Sequence, residues 1–153
     1  MTDARRSPIQ PPPDALPGPW QRVLDLLAAA YACVLVYATH HPKPAELVGP
    51  NAPGDKSLHL IAYTLLGGVV AAAVASRGGW SWRSAAALFV ALASFAAADE
   101  ITQPLFGRFA DTRDWAFDEV GLVTGIGAVT VAALLLRQVV IKHASRWGKT
   151  PAQ

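Results

Sequence analysis

Apolar positions in this chain cluster into four long blocks separated by short polar breaks. The blocks run from about Trp20 to Thr39, from Lys56 or Ser57 to about Ser76, from Ser84 to Gln103, and from Asp114 to about Leu136. Each approaches the ~20 residues that an α-helix needs to cross a hydrocarbon core of ~30 Å. The breaks carry helix-stopping residues. Pro42, Pro44, Pro50, Pro53 and Gly54 mark a loop over 42–55, and Pro104 opens a charged loop over 104–113. The connector from Arg77 to Arg83 is short, which predicts that the helices on either side are antiparallel neighbours. The pattern therefore predicts an all-α fold, an integral membrane bundle of four transmembrane helices. Residues 1–19 are proline-rich and read as a disordered or extended tail. Residues 20–137 form the membrane domain, and 138–153 a basic tail with Lys142, His143, Arg146 and Lys149.

Composition supports this reading. The 153 residues suit one domain, and 52% of them are apolar. The formal charge of +2 is too small to argue for a nucleic-acid partner. A single cysteine, Cys33, forms no intrachain disulfide and reads as an apolar core residue. Arg5 and Arg6 are followed by Pro8 and Pro11 to Pro13, where the apolar region of a signal peptide would begin.

Basic residues set an expected orientation. With both termini cytoplasmic, Lys43, Lys56, Arg108 and Arg113 fall outside. Thirteen lysines and arginines less these four leaves nine inside. That bias predicts a multi-pass protein of the cytoplasmic (inner) membrane. Trp20, Trp80 and Trp82 then lie at the inner interface and Trp115 at the outer one.

Four crossings bring three polar clusters to the same outer face. They are Asp55-Lys56-x-x-His59, Asp99-Glu100-x-x-Gln103, and the stretch from Arg108 to Asp118. Depth follows from length. The third block has only 15 residues between Arg83 and Asp99, so a full crossing must include Asp99 and Glu100. Val120 to Leu136 is 17 residues, which places Asp118 and Glu119 near or just under the boundary. Each such acid costs up to about 2.5–3.5 kcal/mol at the bilayer centre and less near the edge. The acids must therefore face the bundle interior or meet cations, for which Lys56, Arg108 and a charged His59 are available.

Spacing supports an inward face. Asp55, His59 and Tyr63 recur every four residues, and Asp114, Asp118, Gly121 and Gly125 form one stripe. Gly121-x-x-x-Gly125 is a small-residue packing motif. Some charges have plainer readings. Asp25 pairs with Arg22 at a helix end, Asp55, Ser57 and Asp114 can cap helices, and Asp111 and Arg113 read as solvated loop charges. His40 and His41 are adjacent and point to different sides of a helix, which argues against a shared metal.

These motifs resemble the VanZ-like family, small membrane proteins named for a teicoplanin-resistance protein. The resemblance rests on Asp55-Lys56-x-x-His59-x-x-x-Tyr63, Asp99-Glu100-x-x-Gln103, Gly107-Arg108 and Asp114-x-x-x-Asp118-x-x-Gly121, over about residues 20–137. Asp118 departs from the family, which often has Asn there. The resemblance implies a helical bundle and a cell-envelope setting, with a link in some members to antibiotic resistance, and no particular reaction.

Two functions follow as expectations. The first is an outer pocket that binds an amphiphile, such as a lipid-linked envelope precursor or a lipoglycopeptide. Asp55, Lys56, His59, Tyr63, Asp99, Glu100, Gln103, Arg108, Asp114 and Asp118 are its candidate ligand-binding residues. Arg108 and Lys56 would meet phosphate or carboxylate, with Asp99, Glu100 and Gln103 holding Arg108. The alternative is a metal-dependent hydrolase or transferase acting on a membrane lipid phosphate. Its catalytic candidates are His59, Asp99, Glu100, Asp114 and Asp118, with carboxylates able to take a divalent cation. No particular metal ligand set follows from the sequence. A transporter-like or structural partner subunit is a further alternative, and a chain this small would need to oligomerise to transport.

Overall fold

The computed structural model describes residues 17–147. It is all-helical, with no strand among the described residues. Helix α1 spans Pro19–Thr39, α2 Pro44–Val48, α3 Asp55–Ala75, α4 Trp82–Thr102 and α5 Thr112–Trp147. A 3-10 turn, Gln103–Phe106, extends α4. Four segments are long and apolar enough to cross a membrane: α1, α3, α4 with its 3-10 turn, and α5 as far as His143. By length and composition the chain is a multi-pass membrane protein. Of the expected tails over 1–19 and 138–153, residues 1–16 and 148–153 lie outside the described residues, and with them Arg5, Arg6 and Lys149.

Three boundaries differ from expectation. Pro44 opens a short helix, α2, inside the supposed 42–55 loop. Proline suits the first helical turn, where its missing N–H would have had no partner. The helix of the fourth apolar block, α5, does not stop near Leu136 but continues to Trp147. The change there is in polarity only, since neither glycine nor proline interrupts the sequence. Its 36 residues reach about 54 Å, well beyond a hydrocarbon core. The helix of the third apolar block, α4, begins at Trp82 and not Ser84, with Ser81 as its N-cap accepting a hydrogen bond from the Ser84 N–H.

The bundle is organised around α3 and α5, which pack along most of their shared length. Glycines permit this. A Cβ on Gly121 would sit 2.7 Å from the Leu60 carbonyl oxygen, and one on Gly125 would lie 2.6 Å from the Gly68 nitrogen and overlap the Thr64 carbonyl. A Cβ on Gly67 would meet the Leu122 carbonyl oxygen at 3.1 Å, a tight contact short of a clash. The expected small-residue motif is thus the seam between these two helices.

Helix α1 packs on α3 and helix α4 on α5. The α3 and α4 helices touch only slightly. The short connector joins them, but the glycine seam gives α3 to α5 instead. The core is a small cluster of Leu35, Tyr63, Leu66, Ala96 and Leu122. Tyr31 ties α1 to α3 by donating to the Ala62 carbonyl at 2.9 Å. Large apolar side chains such as Leu26, Val34, Leu65, Val90 and Leu136 face outward. Water would penalise that surface, whereas lipid tails accept it. Cys33 is among the exposed residues and not in the core, because its position on α1 faces away from α3.

Candidate functional site

One end of the bundle holds a buried polar network. Topology brings there the end of α1, the start of α3, the end of α4 and the start of α5. Seven polar residues are buried in the described chain, and all of them lie at this end: Thr39, His59, Asp99, Glu100, Gln103, Asp114 and Asp118.

His59 stands at its centre, in the second turn of α3. Its Nδ1 is 2.9 Å from Asp118 Oδ1 on α5. Its Nε2 is 4.0 Å from Asp114 Oδ2, too far for a hydrogen bond. Asp114 and Asp118 are one helical turn apart on the stripe that continues into Gly121 and Gly125. The glycine seam therefore sets the distance between the histidine and its aspartates. Tyr63, one turn further along α3, stacks its ring parallel to His59 at 6.5 Å between centroids.

A second node forms around Asp99 of α4. Tyr63 donates its hydroxyl to Asp99 Oδ2 at 3.0 Å, and Thr39 donates to Oδ1 at 3.0 Å. His40 Nδ1 is 3.5 Å from the same oxygen, and its Nε2 is 2.9 Å from the Thr102 hydroxyl. Asp99 therefore joins α1, α3 and α4. Glu100 accepts from Gln103 Nε2 at 2.9 Å and from the Asp111 backbone N–H. It thereby pins the loop that leads into α5.

At the rim, Lys56 lies 3.6 Å from Asp114 and 3.7 Å from Asp111. Asp111 caps α5, accepting from the Arg113 N–H at 2.8 Å. That bond and the nearby Lys56 hold its carboxyl below the usual carboxylate range. The cap is therefore Asp111, which had read as a solvated loop charge, and Asp114 is instead buried. Asp55 opens α3 without a side-chain cap bond.

Arg108 departs from expectation. Its guanidinium donates to the Thr39 carbonyl at 2.9 Å and approaches Asp55 at 3.2 Å. Only its backbone N–H meets the expected partner, the Gln103 carbonyl at 3.4 Å. It closes the end of α1 onto α3 and lies outside ion-pair distance of Asp99 and Glu100. The expected Arg22–Asp25 pair is also absent. Arg22 donates to the Pro17 carbonyl, and Asp25 pairs with Arg77 at 2.6 Å at the opposite end of the bundle.

All ten proposed site residues therefore converge on one region. Thr39 and Thr102 also belong to it and were not singled out from the sequence, and so does His40, which was weighed there only for a metal shared with His41. The signal existed, because the end of the first apolar block falls on the same face as the three clusters. Two triplets bring one ligand atom each within 4.8 Å of one another: Asp55, His59 and Asp114, and His59, Glu100 and Asp118.

A cavity of about 140 Å³ adjoins the network between α1, α2 and α3. Leu35, Leu47, Val48, Leu58 and Ala62 form its apolar wall, and Thr39, Asp55, His59 and Arg108 its polar end. No family model, no curated protein and no solved structure matches this chain.

Proposed function

We propose that the protein binds an amphiphile at the polar end of its bundle, with the apolar tail against α1, α2 and α3 and an anionic head at Arg108. One observation carries this reading: the cavity is apolar along one wall and ends on Arg108, His59, Asp55 and Thr39. Such a site suits a molecule with an apolar body and a small polar terminus. Arg108 offers a planar fork of donors that matches phosphate or carboxylate. Leu47 and Val48 are exposed on α2, so the cavity borders the surface that faces lipid.

The resemblance of the sequence motifs to those of VanZ-like proteins supports a cell-envelope setting, with a lipid-linked precursor or a lipoglycopeptide as the class of amphiphile. The distribution of lysine and arginine supports placing this end on the outer side of the cytoplasmic membrane, with both termini inside.

Native mass spectrometry of the detergent-purified protein tests the proposal. The expected result is a retained lipid-sized adduct. It should fall in Leu58→Trp, which fills the cavity, and in Arg108→Ala, which removes the head-group partner. The absence of any adduct on the wild-type chain, or an adduct unchanged in both variants, would overturn it. Turnover of an added lipid phosphate, lost in His59→Ala and Asp99→Ala, would instead assign a membrane-lipid hydrolase.

A further inference from the structure

We infer that Asp55, His59 and Asp114 form a binding site for a divalent cation at the inner end of this cavity. Their ligand atoms lie within 4.8 Å of one another. The His59 ring is already arranged as a metal-bound imidazole would be. Nδ1 is held by Asp118 at 2.9 Å, and Nε2, with no hydrogen-bond partner among the described residues, lies 4.0 Å from Asp114. A histidine that ligates through one nitrogen while a carboxylate holds the other is the usual pattern of a metal site, because the second bond fixes tautomer and ring orientation. Asp118 is therefore a positioning residue, and His59, Asp114 and Asp55 are the ligands.

Two further observations favour a cation at these carboxylates. Asp114 is only 4% exposed, and its Oδ1 has no hydrogen-bond partner among the described residues, with Lys56 Nζ 3.6 Å away. The buried acids Asp99, Glu100, Asp114 and Asp118 have one permanent cation within ion-pair distance among the described residues, Lys56 at 3.6 Å from Asp114. Arg108 contacts the half-exposed Asp55 instead. Buried charges in proteins are paired or coordinate metals, since an isolated buried ion is very costly. Lys56 is 42% exposed on its side chain and also lies near Asp111 at the rim, so it can withdraw there when an ion enters.

The donor set is one imidazole nitrogen and two carboxylates. That set suits Zn²⁺, Mn²⁺ or Fe²⁺ better than a soft ion. Asp55 and His59 both line the cavity, so the remaining coordination positions face it. The inference stands on the ligand geometry and does not depend on what fills the cavity.

The test uses the full chain in detergent, treated with chelator, desalted and titrated with Zn²⁺ or Mn²⁺ alone. Isothermal titration calorimetry and metal analysis after desalting should give about one ion per chain. Co²⁺ should give visible bands of nitrogen and oxygen ligation. Asp114→Asn and Asp55→Asn should each weaken binding at least about tenfold, and Asp118→Asn about 10–100-fold, as for other groups that orient a metal-bound histidine. Asp55 is exposed, so its variant keeps the fold even where a buried substitution would not. Asp25→Asn, at the opposite end, should bind as the wild type does. Absence of saturable binding, or unchanged affinity in both Asp55→Asn and Asp114→Asn, would overturn the site. No lipid is added in this assay and the retained adduct is read separately by mass spectrometry, so failure to bind the ion would leave the amphiphile reading untouched.

Discussion

The two ends of this bundle use the same chemistry to different effect. At one end, Asp25 and Arg77 meet at 2.6 Å, with side chains 37% and 43% exposed. The pair links α1 to the end of α3 and lies open to its surroundings. Gln21 adds a hydrogen bond to the Ser76 carbonyl in the same region. At the other end, His59 and Asp118 meet at 2.9 Å, with side chains 4% and 1% exposed. The second pair is one link in a network that ties α1, α3, α4 and α5 together. An exposed pair can exchange its partner for water or lipid head groups. A buried one cannot, so every missing partner there is costly. The open end holds an exposed pair, and the closed end a buried polar network.

Four substitutions sharpen that contrast. The largest effect is expected from His59→Ala, which leaves Asp118 buried without its partner and should cost about 3–5 kcal/mol. Unfolding in mixed micelles measures it. A loss no greater than that of Asp25→Asn would erase the difference between the ends. Tyr63→Phe removes one donor from the Asp99 carboxylate and should cost about 1.5–3 kcal/mol. The same assay reads it, and a neutral result would mean that Thr39 alone satisfies Asp99.

Gly125→Ala acts between the ends. Its Cβ would overlap the Thr64 carbonyl, so α3 and α5 must separate. The expected loss is about 1–3 kcal/mol from overpacking, accompanied by weaker cation binding because the seam sets the reach from His59 to Asp114. Stability lost with cation affinity unchanged would uncouple seam from site. The smallest effect is expected from Asp25→Asn, about 0–1 kcal/mol, as for exposed ion pairs in general.

Much of this arrangement was legible in the sequence. Block lengths near the span of a bilayer gave four helices, and Gly121-x-x-x-Gly125 on the aspartate stripe gave the packing face of the last one. The three polar clusters had to meet, because an even number of crossings returns the chain to the same side. Spacing of four residues put Asp55, His59 and Tyr63 on one face of α3. These are properties of a helix and a bilayer, and they follow from periodicity alone.

Pairing between helices does not follow from periodicity. Asp25 had an acceptable partner three residues away in Arg22, and the fold gave it Arg77 instead. Arg108 was expected at the buried acids and went to the Thr39 carbonyl and Asp55, because the loop leaving Gly107 directs it to the end of α1. Thr39 and His40 entered the site only when α1 met α4. Cys33 is apolar enough for a core, yet it faces outward because membrane helices expose most of their surface to lipid. The sequence by itself determined the helices, their inward faces and the end where the charges gather. Which charge meets which was decided by the tertiary structure. Helix rotation and separation set those distances, and they depend on how glycine backbones on two distant segments fit together.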